Sequence, residues 1–107
     1  MSEAVEAPEP LFDRVALIGL GLIGSSLAWA MRRDGIAREI VGHARSPDTR
    51  AAAGRVGFLD SVEAEAAEAA RGADLVVLCT PVGAMGAVAR AIAPALAPGA
   101  VVSDVGS

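Results

Sequence analysis

Three features of the sequence predict an α/β fold, a Rossmann-type doubly wound parallel sheet with helices on both faces. Short apolar runs alternate with helical stripes at spacings of roughly twenty residues, as parallel strands joined by right-handed crossovers require. The runs are apolar throughout rather than alternating with polar residues, which is the pattern of strands buried on both faces. Glycine closes the first run and a helical stripe opens directly behind it, the order of a nucleotide-binding half-fold.

Residues 1–12 have no apolar period and read as a solvated leader, with residues 13–107 as the folded domain. The first strand is RVALIG, bounded by Gly19. From Leu22 the period changes: Leu22, Ile23, Leu27, Ala30 and Met31 fall on one helical stripe that ends near Arg33, with Gly35 as the C-terminal stop. EIVGH at 39–43 is the second strand, and Pro47 suits the first turn of a helix running to about Arg55. A very short third strand is expected at 57–60, with Ser61 capping an Ala- and Glu-rich helix through about Arg71 and Gly72 ending it. On that helix Glu63, Glu65 and Glu68 form the solvated side. LVVLCT at 75–80 is the clearest strand; Pro81 and Gly83 break it. Met85, Val88, Ala89, Ile92 and Leu96 share a helical face, Pro98 and Gly99 stop that helix, and AVVSDV at 100–105 is the last strand.

The 107 residues suffice for one domain, and 53% hydrophobic content rules out a disordered tail. With 3% aromatic residues and a net charge of −4, the chain lacks both the stacking platforms and the basic surface that nucleic acid requires. The single cysteine, Cys79, excludes a disulfide framework and a multi-cysteine metal site, and no metal ligand set is expected. It reads as a small buried hydrophobe in a reducing compartment. The longest uncharged run, 15–31 between Arg14 and Arg32, is diluted by glycine and serine and splits into a strand and a helix. The start of the chain is acidic and carries prolines, unlike a secretory signal. A cytoplasmic protein without membrane association is expected.

The strongest chemical signal is GLGLIGSS at 19–26, with Gly19, Gly21 and Gly24 in the G-x-G-x-x-G spacing. A glycine-rich chain produces this spacing by chance, and a ligand-free structural turn is the bland alternative. A strand before it and a helix after it make the spacing specific. Gly19 allows the tight turn, Gly21 leaves room for a pyrophosphate, and Gly24 lets helix and strand pack closely. The N–H groups of Leu22, Ile23 and Gly24 meet the anion, helped by the helix dipole.

At the end of the second strand, where NAD sites carry an acid for the ribose hydroxyls, the sequence reads Gly42-His43-Ala44-Arg45-Ser46. No acid stands there. Arg45 is placed to pair with a 2′-phosphate, with Ser46 adding a donor, so the cofactor is NADP or NAD with NADP favoured. A merely solvated Arg45 is the alternative. His43 reads as a strand-end histidine without catalytic duty. Thr80 and Pro81, at the carboxyl end of the fourth strand, are expected to face the nicotinamide-side ribose. Trp29 is assigned to packing or a subunit contact and Met85 to the core. Asp104 and Ser107 follow the last strand at the same edge as the glycine loop.

Taken together, VALIGLGLIGSSLA, IVGHARS, GADLVVLCTPVGA and VVSDVGS resemble the prephenate/arogenate dehydrogenase family of tyrosine biosynthesis. The resemblance runs from about Leu11 to Ser107, and CTPVGAM with the terminal DVGS is its most specific part. It implies an oxidative decarboxylation in which hydride leaves C4 of a cyclohexadienyl ring for the nicotinamide, CO2 departs and the ring becomes aromatic. It also implies that Ser107 matches the family's serine that hydrogen-bonds the substrate hydroxyl. The family's partner histidine follows in a G-x-H-P stretch beyond residue 107, and His43 does not match it. The resemblance therefore implies a cofactor-binding fragment of a larger homodimeric enzyme, without the helical dimerisation domain and inactive alone. Two other readings stay open at this point: an imine- or hydroxyacid-type dehydrogenase, and a nucleotide-sensing regulatory domain on the same fold.

Overall fold

The computed structural model describes residues 9–105. Five strands form one sheet: β1 (Phe12–Ile18), β2 (Ala37–His43), β3 (Ser61–Glu63), β4 (Leu75–Leu78) and β5 (Val101–Asp104). Their order is β3-β2-β1-β4-β5 and all four pairings are parallel, the doubly wound arrangement that the sequence predicts. The helices are α1 (Leu22–Asp34), α2 (Pro47–Val56), α3 (Ala66–Ala70) and α4 (Val82–Ile92), with a 3₁₀ turn at Ala93–Ala95.

Alternation along the central strands divides the core in two. Val15, Leu17, Ile40, Leu75 and Val77 face Ala28 and Met31 of α1. Ala16, Ile18, Val41, Val76 and Leu78 face Ala69, Ala70 and Ala73 around α3 and Ile92 of α4. Both faces of β1 are thus dry, which is why its sequence is apolar without alternation. The run at 15–31 divides between β1 and α1, and among the described residues no helix is long and apolar enough to cross a membrane.

Several boundaries differ from the sequence reading, each for a local reason. β1 begins inside the expected leader: Phe12 pairs with Ala37 and packs against the α1-side core. The third strand lies at Ser61–Glu63 and not at 57–60. The earlier residues are held largely by side chains, since Arg32 grips the Phe58 carbonyl and the Asp60 carboxylate, which itself accepts the Ile40 N–H at 2.7 Å, while the Asp60 N–H donates to the Ile40 carbonyl at 2.8 Å. Ser61 consequently sits in a strand and caps nothing. α3 is only five residues long, follows Glu65 without a side-chain cap, and leaves Glu63 on a strand. Pro81 is the N-cap of α4, and Gly83 stands within that helix rather than before it.

On α1 the core-facing residues are Gly24, Ala28 and Met31, with Leu27 partly buried. Leu22 and Ile23 are 86% and 53% exposed, because the first turn projects past the edge of the sheet. On α4 Val88 and Ile92 face the core as expected, whereas Ala89 is exposed.

Candidate cofactor-binding site

In a parallel sheet all carboxyl ends lie at one edge, and ligands bind where the strand order reverses. Here the reversal falls between β1 and β4, and the glycine loop leaves β1 at that point. The three glycines do three different things. Gly19 has φ +88°, and a Cβ there would lie 2.6 Å from Cγ2 of Thr80, so both the turn and the neighbouring strand end require glycine. At Gly24 a Cβ would meet the Gly19 carbonyl oxygen at 3.4 Å and Cys79 at 3.6 Å, where helix and strand end approach. Gly21 is the N-cap of α1 with extended backbone, and a Cβ would find nothing within 4 Å. Packing therefore does not explain glycine at 21.

Leu22, Ile23 and Gly24 form the first turn of α1, which has no side-chain cap and no acidic residue. Such an end turns its N–H groups and positive dipole toward an anion. Facing it across Gly19 is Thr80, whose buried hydroxyl has no hydrogen-bond partner among the described residues. A buried hydroxyl without a partner costs about 1–3 kcal/mol, and a bound polar ligand removes that cost. Pro81 follows it and is exposed at the head of α4. The cradle, Thr80 and Pro81 are thus brought together.

Arg45 and Ser46 lie at the end of β2, both exposed, and Ala44 before them is buried. Ser46 has a structural task that sequence reading did not give it: its hydroxyl accepts the Thr49 N–H at 3.3 Å and caps α2. Its own O–H remains a donor. Arg50 was not singled out by sequence. It donates to the carbonyls of Ala44 at 2.8 Å and Arg45 at 3.0 Å, and so fixes the segment that carries Arg45. The available signal was a second arginine in the first turns of the helix that Ser46 opens. Arg45 and Arg50 line a cleft of about 630 Å³ with His43, Glu65, Val88 and Ala91, a size suited to a small-molecule group.

His43 is the buried polar residue of this edge, and it touches the loop directly. The Gly19 N–H points at both its carbonyl oxygen and its Nδ1, each at 3.1 Å. Burial lowers its pKa from the ordinary value, Glu65 opposing this and Arg45 and Arg50 adding to it. Cys79 is partly buried against Gly24, and burial pushes its thiol pKa up, so it is a packing residue. Trp29 is 47% exposed under the Arg33 guanidinium, 4.6 Å from the ring centre. Ser107 lies outside the described residues, and Asp104 ends β5 at the same edge.

Comparison with known proteins places these features in company. A family model described as the nucleotide-binding domain of prephenate dehydrogenase matches residues 27–107. A cyclohexadienyl dehydrogenase of Zymomonas mobilis is 42% identical over 97 residues, covering 91% of this chain and 33% of the relative. The crystal structure of A. aeolicus prephenate dehydrogenase, in complex with hydroxyphenyl propionate and NAD+, superimposes with a TM-score of 0.80 at 28% identity, covering 89% of this chain and 34% of that one. Synechocystis arogenate dehydrogenase gives 0.79 at 32% identity, covering 86% and 32%. The chain spans about a third of the length of these relatives.

Proposed function

The chain belongs to the family of prephenate dehydrogenase nucleotide-binding domains, and from that premise we propose that it is the dinucleotide-binding part of an NAD(P)-dependent oxidoreductase acting on prephenate or arogenate. The observation that carries this reading is the open space at Gly21, between an uncapped helix end and the buried, unpartnered Thr80 hydroxyl. The residues present fit a dinucleotide. Gly21 and the N–H groups of Leu22, Ile23 and Gly24 hold the pyrophosphate. Thr80 and Pro81 border the nicotinamide-side ribose, and the cleft between β2 and α4 takes the adenosine end.

NADP is the preferred cofactor in this reading. The segment after β2 offers Arg45 and the Ser46 hydroxyl to a 2′-phosphate, and Ala44 offers no carboxylate to a ribose diol. Arg50 holds the Arg45 backbone and reduces the ordering needed when the guanidinium engages. When bound, the nicotinamide supplies the two-electron acceptor for oxidative decarboxylation of a cyclohexadienyl ring. Ser107 orients the ring hydroxyl, a role that rests on the family resemblance.

The test is steady-state turnover of prephenate and of arogenate, with each dinucleotide, by a protein of the relatives' length that carries this domain. NADP-dependent turnover of one of the two is expected. Ser107→Ala should lower kcat by roughly a hundredfold with little effect on cofactor affinity. The 107-residue chain alone should bind dinucleotide and turn over neither substrate. No turnover of either substrate by the longer protein would overturn the reading.

A further inference from the structure

We propose that His43 is a positioning residue of the dinucleotide cradle, its imidazole holding the first glycine of the loop; the inference rests on the cofactor reading above. His43 closes β2, opposite Ile18 in the last register pair of β1 and β2, and is 5% exposed. Beyond that pair the ladder has no further rungs and the chain must swing into the glycine loop. His43 supplies the missing ties. Its carbonyl accepts the Leu20 N–H at 2.7 Å, and its carbonyl and Nδ1 share the Gly19 N–H.

The ring chemistry then leaves one tautomer. Nδ1 accepts from Gly19 and so carries no proton. In the neutral ring the single proton therefore sits on Nε2. The imidazole holds the glycine loop on one side and lines a cleft with Ala64 and Glu65, of the turn between β3 and α3, on the other. Protonation would place a second N–H on Nδ1 against the Gly19 N–H, donor facing donor, and loosen the loop, leaving it held by the His43 carbonyl alone. Burial opposes that protonation first, and Arg45 and Arg50 oppose it further, while Glu65 favours it. Glu63 lies in register with His43 on β3, and α4 presents Ala87, Val88 and Ala91 to the same cleft, none of which titrates.

Three variants of the 107-residue chain separate positioning from mere packing. The amide oxygen of asparagine sits where Nδ1 does, so His43→Asn keeps the acceptor for Gly19. His43→Gln places its amide near the Nε2 position and loses that acceptor, as does His43→Leu. NADP affinity, measured by calorimetric titration, should stay within about threefold of wild type for His43→Asn and fall roughly tenfold for the other two, the scale of one lost hydrogen bond. A second readout uses NAD, which has no 2′-phosphate to titrate. Its affinity for wild type should fall as the pH drops through the midpoint at which His43 charges, read from its ring 15N shifts, whereas His43→Asn should show no such step. The same 15N spectrum should report the Nε2–H tautomer at neutral pH.

Equal NADP affinity for the Asn and Gln variants would overturn the inference while leaving the cofactor reading intact. If the Gln and Leu variants do not fold, a wild-type NAD affinity that stays flat while His43 titrates would overturn it equally. Failure of the wild-type chain to bind either dinucleotide would overturn the cofactor reading itself, and this inference with it.

Discussion

At the scale of single residues, the glycine loop makes opposite demands at neighbouring positions. A side chain at Gly19 needs a left-handed backbone and collides with Thr80, so Gly19→Ala should destabilise the ligand-free domain by about 1–3 kcal/mol. A side chain at Gly21 meets open space on an extended backbone, so Gly21→Val should lose only the N-cap preference for glycine, up to about 1 kcal/mol, and still fold cooperatively. It should nevertheless lose dinucleotide affinity by a hundredfold or more, because the branched side chain occupies the pyrophosphate position. Thermal melting and titration of both variants check this, and tight binding by Gly21→Val would sink the cradle assignment. Arg45→Ala should weaken NADP about tenfold or more and leave NAD nearly unchanged, since a charge-assisted contact to the 2′-phosphate contributes roughly 1.5–3 kcal/mol. Equal losses would show that Arg45 does not read that phosphate. Gly21 and Arg45 are marked in the sequence by motif spacing. The contacts of His43 and Arg50 are not, since they reach backbone atoms of Gly19 for the first and of Ala44 and Arg45 for the second, visible only once the chain is folded.

Among the elements, β1 shows how the start of a central strand is pinned by a side chain as well as by backbone bonds. Asp74 precedes β4, and its carboxylate accepts the N–H groups of Arg14 at 2.8 Å and Asp13 at 2.9 Å. Its own N–H donates to the Arg14 carbonyl and its carbonyl accepts from Val101, so one residue joins β1, β4 and β5. Burial raises its pKa, but the backbone N–H groups of Arg14 and Asp13 outweigh that and hold it below the ordinary value. A carboxyl with a depressed folded pKa stabilises fully above its unfolded value of about 3.9, and that contribution is lost as the pH falls through the lower folded value. Asp74→Ala should therefore cost about 1–2 kcal/mol at pH 7 in denaturant unfolding, and the gap to wild type should close as the pH is lowered below about 4. A gap independent of pH would assign the loss to packing. The third strand was misplaced by sequence for a related reason. Asp60 meets the Ile40 backbone with both its N–H and its carboxylate, and Arg32 grips the Phe58 carbonyl, so apolar Phe58 and Leu59 looked like strand residues while the rungs start at Ser61.

For the molecule as a whole, the doubly wound arrangement was readable from strands alternating with helices behind a glycine loop, and two-sided burial from the runs themselves, since β-branched residues without alternation must be covered on both faces. The α1 stripe was readable at Leu27 and Met31 but not at its start, because a helical wheel has no knowledge of where the sheet ends, and Leu22 and Ile23 are exposed. A single-domain chain whose cradle is formed in the folded state couples ligand binding to global stability. A dinucleotide at one hundred times its dissociation constant should add about 2.7 kcal/mol. For a domain of this size each kcal/mol moves Tm by roughly 4–8 °C, so saturating NADP should raise Tm by about 10–20 °C. NAD at the same concentration should raise it less, by the weaker affinity that the Arg45 contact implies. Gly21→Val should still fold cooperatively without ligand and show no rise with either dinucleotide, which separates loss of the site from loss of the fold. A Tm unmoved by millimolar NADP and NAD in the wild-type chain would mean that the open space at Gly21 does not hold a dinucleotide.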